Sequence, residues 1–94
     1  MKVYINDEYE FDIDEIKDLK DNKFNFIIND KSKFKRAIMD KYFYAKTVID
    51  SLYVLNDDLE VVWNKNDYNT QLNSCDIIEF KTILNKIFIT INLY

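Results

Sequence analysis

The closing stretch SCDIIEFKTILNKIFITINLY, residues 74–94, decides how this chain is read. Ser74 is a helix-capping residue. After it, Ile77, Phe80, Leu84 and Ile87 fall on one helical face, with Asp76 and Glu79 near the positive end of the helix dipole. The spacing predicts a helix from Cys75 to about Lys86. From Phe88 the pattern changes to alternation, with Ile89, Ile91 and Leu93 set against Phe88, Thr90 and Asn92, which predicts a terminal strand.

Upstream, Leu59-Glu60-Val61-Val62-Trp63 is a strand by composition and is closed by Asn64-Lys65-Asn66. Thr47 to Leu55 places Val48, Ile49, Leu52 and Leu55 at helical spacing, although its β-branched residues also suit a strand; a helix is expected. At the start, Val3 and Ile5 alternate with Lys2 and Tyr4, and Asn6-Asp7-Glu8 supplies a turn. Tyr9, Phe11 and Ile13 can pair back as a hairpin. Asp12 or Asp14 can instead cap a helix carrying Ile16 and Leu19, and a helix from about Asp14 is expected. Phe24 to Ile28 is β-prone, and Asp30 or Ser32 can cap a helix that turns Phe34, Ile38 and Phe43 (or Tyr42) toward the core. Strands separated by helices predict a small single α/β domain over residues 1–94, with a short, mainly parallel three-stranded sheet packed by helices. An α+β fold with hairpins is the alternative.

Composition narrows the chemistry. The 94 residues are 48% hydrophobic and 32% charged, enough for a packed core. There is no histidine, which removes the usual general base and the commonest zinc ligand. There is no glycine either, which removes the loops that bring bare backbone against a phosphate. The single cysteine, Cys75, forms no internal disulfide, and no stretch approaches a membrane span. A cytoplasmic, soluble non-enzyme without cofactor or metal is expected. With no glycine and no proline, eleven asparagines and the aspartates must build the turns.

The net charge of −4 is uneven. Residues 1–22 carry −5, residues 23–46 carry +5 and residues 47–94 carry −4. The basic block Lys31, Lys33, Lys35, Arg36, Lys41 and Lys46, interleaved with Phe34, Tyr42, Phe43 and Tyr44, is either a nucleic-acid strip or a solvated face with inward rings. The acidic flanks favour the solvated face, so direct nucleic-acid binding is not the first expectation. Asp57, Asp58 and Glu60 form an acidic cluster that is either part of a binding face or a turn device.

Several strings resemble the barstar family of small intracellular ribonuclease inhibitors. Ile5-Asn6-Asp7-Glu8 with Ile13-Asp14-Glu15-Ile16 is similar to that family's first strand, turn and helix start, with Asp7 where glycine is usual. Phe43-Tyr44-Ala45 and Ile49-Asp50-Ser51-Leu52-Tyr53 resemble its paired aromatics and second helix. Leu59 to Trp63, Ile77 to Lys86 and Phe88 to Leu93 resemble its remaining strands and last helix. The interval 20–42 is longer than in the family, Val54 replaces its second helix acid, and Thr82 replaces a further one. The resemblance implies a parallel-sheet fold and an acidic face that covers a basic nuclease. Tyr44, Asp50 and Tyr53 would be partner-binding residues, extended by Asp57, Asp58 and Glu60. A phage or mobile-element anti-defence protein directed at a nucleic-acid-guided nuclease would use the same kind of surface.

Overall fold

The structure, a computed structural model, describes residues 1–29, 35–68 and 70–94. The expected caps Asp30 and Ser32, and Lys31, Lys33 and Phe34 of the basic block, lie outside the described residues. The strands are β1 (Lys2–Ile5), β2 (Tyr9–Asp12), β3 (Glu15–Lys20), β4 (Lys23–Asn29), β5 (Leu52–Leu55), β6 (Val61–Asn64), β7 (Cys75–Ile83) and β8 (Lys86–Leu93). A short helix α1 (Lys35–Ile38) runs on as a π-helical segment, Met39–Tyr44, and a 3-10 turn covers Lys65–Asp67.

The strands form two four-stranded sheets, in the orders β2-β1-β5-β6 and β3-β4-β8-β7. Every pairing between neighbours is antiparallel. This overturns both the mainly parallel α/β fold and the likeness to the barstar family, whose strands are joined through helical crossovers. It is not the α+β alternative either, since helical structure among the described residues is confined to Lys35–Tyr44 and the 3-10 turn.

The closing stretch shows the physical reason. Residues 74–94 form a hairpin, with Ile83 opposite Lys86 and the two-residue turn Leu84-Asn85 between them. Both turn residues have positive φ (48° and 64°), as a type I′ turn requires. In β7, Cys75 and Ile77 face Leu93 and Ile91, the register slips between Ile77 and Glu79, and Phe80 then faces Ile89. The inward positions therefore step from 77 to 80. A bulge inside a period-two pattern has reproduced the three-residue spacing of a helix.

The same substitution of strand for helix occurs in two other places. Residues from Asp14 onward continue the chain of β2 into β3: the Ile13 amide donates to the Met1 carbonyl at 2.9 Å, and the Asp14 amide to the Ile27 carbonyl at 2.8 Å. One extended run thus leaves the first sheet and enters the second, the way strands turn corners in packed sheets. In residues 47–55, Val48 is exposed while Ile49, Leu52 and Val54 are buried, so a single helical stripe does not exist. The expected helix over the thirties and forties is present in part, with Ile38 and Tyr42 in the core and Phe43 half-buried.

The two sheets share one core. Phe11, Val3, Val54 and Trp63 are cross-strand neighbours in the first sheet. Ile16, Phe26, Ile89 and Phe80 are the corresponding row of the second. Trp63 meets Phe24 and Phe26 across the interface at ring distances of 5.2 and 5.5 Å. Each fully buried aliphatic side chain here contributes about 1.5–3 kcal/mol. The π-helical segment closes the gap between β2 and β7: Tyr42 meets Tyr9 edge-on at 6.0 Å, and Phe43 lies 6.4 Å from Phe80. Lys41 pairs with Glu8 at 2.6 Å and Lys86 with Asp14.

The missing glycines have the expected consequence. Asn6, Asp7, Asp21, Asn22, Asn73 and Asn85 hold positive φ, where Asn and Asp are the cheapest residues with a side chain. Leu59 and Leu84 do the same without that chemistry.

Candidate functional site

Antiparallel pairing puts two rows of side chains on the outer face of the first sheet. One row is Asp12, Lys2, Leu55 and Val61; the other is Glu10, Tyr4, Tyr53 and Asn64. Both follow from alternation, because Val3, Ile5, Leu52 and Val54 point inward and their neighbours must point out.

Tyr4 and Tyr53 stack, with ring centroids 5.1 Å apart and planes 12° from parallel. The Tyr53 hydroxyl donates to Asp7 Oδ1 at 2.9 Å. That hydrogen bond, then partial loss of solvent, pushes the Tyr53 pKa above its ordinary value. The Tyr4 pKa is also raised, by partial loss of solvent and then by the Glu10 carboxylate facing it. Lys2 lies 4.0 Å from Glu10.

The β5–β6 connection forms the rim. Asn56 Oδ1 accepts from the amides of Asp58 (3.0 Å) and Glu60 (2.9 Å), and the Leu59 amide donates to the Asn56 carbonyl at 3.1 Å. This arrangement holds Leu59 at φ 61° with 77% of its surface exposed. A depression of about 240 Å³ lies between the rim and the Tyr4 ring, lined by Lys2, Tyr4, Leu55, Asn56, Asp57 and Leu59. Val61, opposite Leu55, and Val62 are exposed. This face carries the stacked rings and Leu55, with Glu10 and Asp12 on the edge strand β2, Asp57 lining the depression, and two cations, Lys2 in the row of Asp12 and Leu55 and the N-terminal ammonium 3.9 Å from Asp57.

Of the residues expected to bind a partner, Tyr53 lies on this face and Asp57 lines its depression, while Asp58 and Glu60 sit in the β5–β6 connection. For this cluster the structure shows the turn role, with the Asp58 and Glu60 amides held by Asn56 Oδ1. Asp50 sits in an extended loop, not on a helix, at the opposite end of β5; its amide donates to Asn6 Oδ1 at 2.8 Å. Tyr44 stands apart, exposed at the end of the π-helical segment with its ring 5.1 Å from that of Phe43. Tyr4, Glu10, Leu55 and Leu59 were missed. The alternation of Lys2-Val3-Tyr4-Ile5 already placed Tyr4 outward, but nothing local showed that Tyr53 would lie beside it.

Three cations of the basic block, Arg36, Lys41 and Lys46, have partners within the chain. Arg36 pairs with Asp40 at 3.3 Å and Lys41 with Glu8. Lys46 donates to the Ile77 carbonyl at 3.0 Å and lies over the Phe43 ring. Cys75 is buried, and burial pushes its thiol up to about 12, far from the range of a reactive cysteine. Lys65 is buried, donating to Asn66 Oδ1 at 3.2 Å and the Asn73 carbonyl at 3.1 Å. No group of His, Cys, Asp or Glu able to hold a metal ion occurs among the described residues. No helix among them is long and apolar enough to cross a membrane.

Protein-family models, curated proteins and solved structures give no match to this chain.

Proposed function

We propose that this chain is a small acidic protein-binding module of the inhibitor or immunity type, which occludes a basic nuclease or another nucleic-acid-handling enzyme. The observation that carries the proposal is the outer face of the first sheet, where the Tyr4–Tyr53 stack and a depression walled by Leu55 and Leu59 share the surface with the carboxylates Glu10, Asp12 and Asp57. Clefts that bind nucleic acid are cationic. A carboxylate rim speeds encounter with such a cleft and penalises acidic partners, while a desolvated aromatic centre supplies most of the affinity. No bond is made or broken. The protein would act in the cytoplasm, where a lone buried thiol such as Cys75 stays reduced.

Binding of nucleic acid by residues 31–46 has less support. Tyr42 is buried, and Arg36, Lys41 and Lys46 are engaged within the chain.

The test is affinity capture from cells expressing the tagged chain, followed by cross-linking and by inhibition assays on the captured enzyme. A basic nucleic-acid-handling protein should cross-link near Lys2, lose activity on binding, and be released by Asp57→Lys with Asp58→Lys. Capture that survives this charge reversal and a Tyr53→Ala change, or a partner that is acidic, would overturn the proposal.

A further inference from the structure

We infer that the Tyr4–Tyr53 stack and the depression beside it form a receptor for an arginine side chain presented by the basic partner. The inference rests on the protein-binding function proposed above and names the group that the face selects. Four observations converge on it.

First, the rings are held in place before binding. They stack at 5.1 Å on adjacent strands, and the Tyr53 hydroxyl is tethered to Asp7, so little rotamer freedom is lost when a planar group lands on them. Second, the depression is about 240 Å³, below the roughly 300–1,000 Å³ of small-molecule pockets, and suits one long side chain. Third, Asp57 lines it together with Leu55 and Leu59, and Glu10 faces Tyr4 across the β1–β2 pair. Aliphatic walls match a methylene stem, and carboxylates match its charged head. Fourth, the face already draws in a cation of its own. Lys2 lies 4.0 Å from Glu10 with half of its side chain exposed, a loose pairing that an incoming guanidinium can displace.

Arginine is favoured over lysine for a physical reason. Its guanidinium is flat and weakly hydrated, stacks on aromatic faces and pairs with carboxylates through two parallel bonds, whereas an ammonium remains a hydrated point charge. A second copy of the chain is a poor occupant, because two acidic rims would be brought together.

The test titrates acetyl-Gly-Arg-Gly-Arg-Gly-amide and its lysine counterpart into the natural, isotope-labelled chain at low salt, followed by amide and tyrosine-ring NMR signals. The arginine peptide should move the signals of Tyr4, Tyr53, Leu55 and Leu59 and bind roughly three- to fivefold more tightly than the lysine peptide. Lys2→Ala should tighten both peptides. Tyr53→Phe, which keeps the ring, should retain the arginine preference, and Tyr4→Leu with Tyr53→Leu should abolish it. Equal affinity of the two peptides at this face would overturn the arginine receptor while leaving the acidic binding face intact. Shifts confined to other residues would overturn both. Movement of the same signals on concentrating the chain without peptide would mark the face as a contact between copies and also overturn the inference. The comparison of peptides on the natural chain decides the matter even if the doubly substituted chain fails to fold.

Discussion

Replacing Asn6 by alanine removes four hydrogen bonds that tie the β1–β2 turn to residues 42–51. Asn6 Oδ1 accepts from the amides of Asp50 and Ser51 at 2.8 and 3.1 Å, and Nδ2 donates to the Val48 carbonyl at 2.9 Å and the Tyr42 hydroxyl at 3.4 Å. Each good bond is worth about 1 kcal/mol net, and water restores part of the two bonds at exposed Asp50 and Val48, so the loss is about 2 kcal/mol. Asn6 also has φ 53°, where alanine costs about 1 kcal/mol more. The sum, about 3 kcal/mol, corresponds to a fall in Tm of about 12–24 °C for a domain of this size. Urea and thermal unfolding measure it directly. Asn6→Gly, which accepts the backbone angle, should lose only the hydrogen-bond part, about 2 kcal/mol. Exchange of the Ser51 amide should quicken in both variants. A change below about 0.5 kcal/mol in Asn6→Ala, within the ordinary range for surface substitutions, would refute the idea that this side chain holds residues 48–51 against the β1–β2 turn.

Leu59 and Leu84 separate strain from use. Both are exposed leucines at positive φ, and Leu84→Asn and Leu59→Asn should each stabilise the fold by about 1 kcal/mol in urea unfolding. Only Leu59→Asn should weaken partner capture, and equal effects of the two on binding would remove Leu59 from the site. Lys65→Ala should cost about 2–3 kcal/mol by leaving the Asn73 carbonyl short of its donor and emptying the volume that the buried side chain fills. Lys65→Met should cost less, because it fills the volume without burying a charge; the reverse order in unfolding midpoints would contradict this. Cys75 gives a pH dependence of known sign. Its pKa rises from 9.0 to about 12 on folding, so its contribution is complete below pH 9 and is lost as pH rises toward 12. The difference in stability between the natural chain and Cys75→Ala should shrink over that window by at most about 1.4 kcal/mol per pH unit, and a difference independent of pH would refute the burial of the thiol.

The sequence made some elements plain and disguised others. Val3 and Ile5, Phe24 to Ile28, and Ile89 to Leu93 were readable as strands because their side chains are β-prone or alternate locally. Asn6-Asp7 was readable as a turn because a glycine-free chain has few other residues for positive φ. Leu84-Asn85 was not, since leucine at that angle contradicts its own preference and is carried by the β7–β8 pairing on either side. The bulge after Ile77 then shifted the apolar phase and made a strand resemble a helix. Asp14 to Leu19 misled for a different reason. An edge strand with mostly exposed side chains shows little alternation of its own, and β4 determines its conformation. The candidate site was legible only in part. Tyr53, Asp57, Asp58 and Glu60 stood out as aromatic and acidic residues, but Tyr4 became part of the site through a strand partner 49 positions away in the chain.

Side-chain types set the chemistry of the molecule: no histidine for acid–base work, no glycine for phosphate loops, turns of Asn and Asp, and acidic ends around a basic middle. These are properties of side-chain types and need no neighbours. Only long-range pairing set the strands antiparallel in two sheets, turned a strand from one sheet into the other at Ile13-Asp14, and stacked Tyr4 on Tyr53 with Glu10 facing it. Strand conformation is completed by hydrogen bonds to distant residues. Register, sheet membership and the make-up of an outer face therefore exist only once those partners have met.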